Sequence, residues 1–182
     1  MSNRGEIAPD SVRKGKVVGI LIIVLRTIHI VSAIGMTIGL VGRELARSRG
    51  RRARDIHQLA AWVRRSSYFE NLLVIPGSQI AIGAGIVLAW VQGWPMFGFL
   101  QGARANWLLV SVVLTCLMAI VIIKIFIPRG KIFAQRLASA MAQGQITAEL
   151  MTSFRDPIVA AAHGAEMFIL IATIYLMVAK PF

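Results

Sequence analysis

The chain has 182 residues, is 57% hydrophobic and carries a formal net charge of +12, with arginine supplying 15 of its 20 basic residues. A soluble domain is usually about 45–50% apolar; the excess here is gathered into long runs, which points to a polytopic membrane protein. The basic residues flank those runs with no recognition motif beside them, so positive-inside topology and anionic lipid explain them more simply than nucleic acid, which is not expected as a partner. The single cysteine, Cys116, cannot form an intrachain disulfide or a Cys-based metal site, and reads as a small packing residue.

The N-terminal tail, residues 1–16, holds Arg4, Arg13, Lys14 and Lys16. The run that follows, Val17 to Leu40, is longer than the apolar core of a signal peptide and lacks a small-x-small cleavage site, so it is expected to remain as a mature transmembrane helix. Three further spans follow at about 71–91, 107–127 and 158–179. Each reaches the ~20 residues that cross ~30 Å of hydrocarbon at ~1.5 Å per residue. The continuous runs specify helices, since barrel strands would alternate in shorter segments. The expected fold is all-α: residues 17–182 as one integral membrane four-helix bundle, with short amphipathic helices in the cytoplasmic loops.

Charge orients the bundle. Residues 43–69 hold eight arginines and residues 128–156 hold Arg129, Lys131, Arg136 and Arg155. These two connections carry twelve basic residues against six for the tails and the 92–106 turn. The rule that basic loops stay inside then places both long loops in the cytoplasm and both termini outside a bacterial inner membrane. Trp90, Trp94, Phe97, Phe99 and Trp107 cluster about the short connection as an interfacial belt. In the long loops, Ile56, Leu59, Ala60 and Val63, and again Ile132, Leu137, Met141 and Leu150, recur at helical spacing among basic residues. Such helices either lie in the membrane interface or extend the spans. His57 among them is expected to be solvated, and Lys124 to end the third span and snorkel to the surface.

Ionisable groups inside a membrane cost about 2.5–3.5 kcal/mol each on insertion scales, so they face inward and pair. Four stand out: Arg26 and His29 on the first span, His163 and Glu166 on the last. Each pair is spaced i, i+3 and so shares a helix face. Counted from the outer edge, His29 lies ~18 Å deep and Glu166 ~20 Å deep. A polar cluster of Arg26, His29, His163 and Glu166 is therefore expected between the first and last spans. It has three readings. It holds the bundle together; or His29 and His163 ligate a b-type heme, as paired histidines on bundle helices do; or a His–Glu pair relays protons or ions. Copper would lean on Met36, Met167 and Met177. Gly35-x-x-x-Gly39, with Ser32 and Gly42 near it, and Gly77-x-x-x-Ala81-x-x-x-Gly85 are small-residue stripes for close helix packing within the chain or in a homo-oligomer. Pro76, one turn into the second span, is tolerated there. The chain has no phosphate-binding glycine loop, no nucleophile elbow and no zinc-protease motif, so it is expected to be a non-catalytic or accessory subunit held in the lipid bilayer, alone or in a larger membrane complex.

Four stretches carry a family resemblance: Leu25 to Gly39, Val74 to Trp90, Trp107 opening the third span, and above all Leu176-Met177-Val178-Ala179-Lys180-Pro181. Over about residues 20–181 the chain resembles the bacterial predicted integral membrane proteins grouped as "domain of unknown function 2269", which implies four transmembrane helices and no established activity. That layout is similar to the copper-resistance D proteins and to the heme-binding membrane protoporphyrinogen oxidase. The likeness implies that His29 matches the oxidase's first-helix heme histidine. The oxidase pattern has a lysine early in the third helix, where this chain reads Leu108-Leu109-Val110-Ser111, which speaks against protoporphyrinogen oxidation.

Overall fold

The computed structural model of the chain describes residues 9–181; the first eight residues of the expected basic tail lie outside it. Among the described residues there are helices and turns and no strand. The helices are α1 (Pro9–Gly50), α2 (Ile56–Phe69), α3 (Ile75–Val91), α4 (Trp107–Val121), α5 (Ile127–Gln143), α6 (Ala148–Phe154) and α7 (Pro157–Ala179). Four rods are long and apolar enough to cross a membrane: Arg13–Gly50, Ile56–Val91, Trp107–Gln143 and Ala148–Ala179. The spans read from hydropathy fall inside them, and each rod runs well beyond its span at the basic end.

What makes α2 with α3, and α4 with α5, into single rods is a widened turn before a proline. Glu70–Val74 and Ile122–Phe126 are π-helical, and in each the bond closing the turn reaches five residues back, from Ile75 N–H to the Glu70 carbonyl and from Ile127 N–H to the Ile122 carbonyl. Pro76 and Pro128 follow directly. A proline has no N–H for an i−4 bond and its ring collides with that carbonyl. One extra residue in the preceding turn moves the carbonyl aside, so the helix passes through where it would otherwise break. Lys124 therefore sits, exposed, inside a continuing rod rather than at the end of one.

The chain divides into two compact units. The first combines α1 up to Glu44 with Ser67–Trp94. Its two rods are antiparallel, because contacts climb one as they descend the other. Gly85 faces His29, Gly77 faces Ser32 and Met36, Gly39 faces Leu73 and Val74, and Gly42 faces Phe69. A Cβ on Gly39 would lie 2.7 Å from Leu73 Cβ, and one on Gly77 3.1 Å from the Met36 backbone nitrogen, so hydrogen at these positions sets the helix separation. Gly35 meets nothing within 4 Å of a built Cβ; on α1 the glycine contacts run through Gly39 and Gly42.

The second unit comprises Leu45–Ser66 and Pro95–Phe182. Here α4 packs along α7. The start of α7 is fixed by Asp156, whose carboxylate accepts from Ile158 N–H and Val159 N–H, and by Pro157 in the first turn. Its end is fixed by Lys180, which takes a left-handed conformation (φ 44°), donates its N–H to the Leu176 carbonyl and precedes Pro181. The Lys180 ammonium then lies 5.3 Å from the centre of the Trp107 ring at the start of α4. The terminal Leu-Met-Val-Ala-Lys-Pro run is thus a helix stop that returns a cation to the residue opening α4.

The best-buried apolar residues in this unit lie in the long connections rather than in the spans. Ile56 and Leu59 of α2, Ala140 of α5, and Leu150 and Phe154 of α6 form one cluster, with Ala53, Val63, Phe133, Leu137 and Ile146 around it. Of the amphipathic faces read from sequence, Ile56, Leu59 and Val63 pack against Leu137 and Leu150 in a small helical cap, whereas Ile132 and Met141 of the second face are exposed. The division follows the solvent: outside the membrane, water drives apolar faces together, whereas lipid is as apolar as leucine and leaves span surfaces bare. Cys116 illustrates the second half, being exposed on α4. Arg129 to Asp156, and Arg136 to Ser153 and to the Glu149 carbonyl (3.1 Å), tie the cap's helices.

Candidate functional site

In the second unit Arg47, His163 and Glu166 form a linear relay. Arg47 stands in the last turn of α1, where the helix has left the apolar run, and its Nη1 lies 2.6 Å from His163 Nε2. Glu166, one turn along α7 from the histidine, lies 3.1 Å from the other ring nitrogen, Nδ1. The ring of Phe126, from the widened turn before Pro128, stacks on the imidazole at 4.5 Å and 27°. The side chains of His163 and Glu166 are 12% and 11% exposed.

The proton positions follow from the donors. A guanidinium can only donate, so Nε2 must present its lone pair to Arg47. The ring proton is then on Nδ1, where it donates to the Glu166 carboxylate. The neutral imidazole connects a cation to an anion, both of its nitrogens are occupied, and a second proton on the ring would remove the acceptor that Arg47 uses.

The first unit holds a second tie. Arg43 Nη1 donates to Glu70 Oε2 at 2.7 Å, with the Arg43 side chain 7% exposed. Glu70 opens the widened turn before Pro76. Each unit therefore places one residue of its π-helical turn against a polar side chain brought by a different helix.

His29 also lies in the first unit, and its Nδ1 is 2.7 Å from the Ala81 carbonyl oxygen. A carbonyl only accepts, so Nδ1 carries a proton and donates it, and in the neutral ring the lone pair is on Nε2. Gly85 makes the approach possible, since a Cβ there would come within 3.0 Å of the ring's Cε1. Arg26, one turn earlier, is exposed and makes no hydrogen bond or ion pair among the described residues. Of the four polar residues singled out from sequence, Arg26 and His29 belong to one unit and His163 and Glu166 to the other. Among the described residues no group of three or more His, Cys, Asp or Glu is placed to hold a metal ion.

Sequence reasoning missed Arg47, Arg43 and Glu70. Arg43 and Arg47 read as two of eight loop arginines. Only the knowledge that α1 continues to Gly50 separates them, because they then lie one turn apart on a helix rather than in a solvated loop.

The family model described as "Predicted integral membrane protein (DUF2269)" matches residues 23–181, nearly the whole chain. No curated protein and no solved structure matches the chain.

Proposed function

We propose that this chain, which belongs to the DUF2269 family of predicted integral membrane proteins, is a non-catalytic subunit of the bacterial inner membrane, working as a homo-oligomer or inside a larger membrane complex. The observation that carries this reading is the destination of the ionisable side chains. Arg43 with Glu70, and Arg47 with His163, are bonded between helices, and Glu166 bonds His163 within α7, which is what a scaffold does with polar groups, whereas an active site turns them toward a cavity. The arginine-rich connections support a cytoplasmic position for both long loops, with the termini outside. Native mass spectrometry in mild detergent tests the assignment. A mass above that of the single 19.9 kDa chain is expected; a lone chain at every protein concentration, with a stoichiometric chromophore, would overturn it.

A second reading has one observation in its favour. A donated Nδ1 proton and a free Nε2 lone pair, as at His29, is how proteins prepare an imidazole to ligate a metal. A b-type heme is one group that such an imidazole could ligate, and it would supply one-electron redox chemistry when bound. His163 does not fit as the second ligand, because its Nε2 accepts from Arg47 and ligation would strip that bond. The heme reading therefore narrows to His29, oriented by Ala81 and given room by Gly85.

A further inference from the structure

We propose that Arg49, Trp62 and Arg65 form a binding site for the headgroup of an anionic phospholipid. Within the second unit, the guanidinium carbons of Arg49 and Arg65 lie 5.3 and 4.5 Å from the centre of the Trp62 ring. Two like charges are thus gathered on one indole. Among the described residues neither arginine makes a salt bridge, whereas Arg43 has Glu70 and Arg129 has Asp156. The neighbourhood adds to the imbalance: residues 45–66 contain seven arginines and one acid, Asp55, whose carboxylate caps the Gln58 N–H. Cation–π contact with an indole orients the guanidiniums and offsets part of their repulsion, but leaves their donor edges open to an anion.

The depth identifies that anion. Because α2 runs on through the widened turn into α3, Arg65 stands six residues before Asn71, where the apolar stretch begins; that is ~9 Å along the helix. The headgroup layer beyond a ~30 Å hydrocarbon core is itself ~5–8 Å thick on each side. Trp62 and Arg49 stand nine residues from the apolar runs, ~14 Å along their helices, so the long arginine side chains are what reaches the lipid phosphates. The planar guanidinium donates two parallel bonds to a phosphate, and a net-negative lipid supplies the charge that the chain does not.

The test is native mass spectrometry of the full detergent-purified chain titrated with phosphatidylglycerol or phosphatidylcholine. The wild-type protein is expected to retain phosphatidylglycerol in preference to phosphatidylcholine. The Arg49→Gln/Arg65→Gln double variant should bind phosphatidylglycerol about 30-fold more weakly, from a factor of about five per arginine. The Arg52→Gln/Arg54→Gln variant removes the same charge from the same loop and should keep most of the binding. Equal retention of the two lipids by the wild-type chain, which needs no variant to fold, would overturn the proposal. So would equal weakening by the two double variants, which would reduce the effect to net charge, or displacement of the lipid by millimolar inorganic phosphate with no dependence on Arg49 and Arg65.

Discussion

Replacing Glu70 with leucine should remove a charge-assisted partner of the buried Arg43 guanidinium. The Arg43 side chain is 7% exposed and its Nη1 lies 2.7 Å from Glu70 Oε2, so the bond is charge-assisted and largely withdrawn from water. Removing one partner of a fully buried pair costs about 3–5 kcal/mol. The Glu70 side chain is 35% exposed, and the Arg43 guanidinium has interactions besides this one, so water and those contacts recover part of the loss. The expected cost of Glu70→Leu is about 2–3 kcal/mol, or ~4–12 °C in melting temperature for a chain of this size. Substituting both partners, Arg43→Met with Glu70→Leu, leaves neither member of this pair stranded and should recover part of that loss. Equilibrium unfolding in mixed micelles of the parent, both single variants and the double variant gives the full cycle. A double variant as unstable as Glu70→Leu alone would refute the reasoning, because the damage would then come from packing and not from an uncompensated cation.

Three further outcomes are expected. In the first unit, Gly39→Val should cost about 1–3 kcal/mol, since its Cβ would fall 2.7 Å from Leu73 Cβ, whereas Gly35→Ala, with nothing within 4 Å, should be neutral or slightly stabilising; thermal melts of the pair check this. Leu150→Ala, at a fully buried position of the cap, should cost about 2–5 kcal/mol, more than truncation of lipid-facing Leu117, in the same melts. Nitrogen-15 NMR of His163 should report the tautomer protonated at Nδ1, and Arg47→Leu should shift the Nε2 resonance while leaving Nδ1–H bonded to Glu166; a ring protonated at Nε2 in the parent would contradict the relay.

The spans were legible because hydropathy counts residues and a bilayer fixes how many are needed. The spans read as opening at Trp107 and Ile158 met the helix starts, Trp107 and Pro157, to within a residue. Periodicity showed that Ile56 and Leu59 share a face, but a period does not say what covers it; lipid and a second apolar helix demand the same pattern, and the structure supplies α5 and α6. Pro76 read as a tolerated residue one turn into its span, but the widened turn before it, which carries the helix back to Ile56, left no mark in the hydropathy. Glu166 three residues after His163 placed both on one helix face, and the structure bonds them to each other. The third member, Arg47, was hidden by abundance: a positive-inside loop hides a functional arginine among topological ones. Depth arithmetic on the first span stopped at Leu40, so the residues that α1 carries to Gly50 entered no site.

That the polar groups of the spans are structural ties is tested most directly by an optical spectrum. The detergent-purified chain, expressed with ample heme, would be recorded oxidised and then reduced with dithionite. A featureless visible region is the predicted result. A stoichiometric Soret band that sharpens on reduction and is lost in His29→Ala would contradict the account and put the free Nε2 of His29 at the centre of a redox protein.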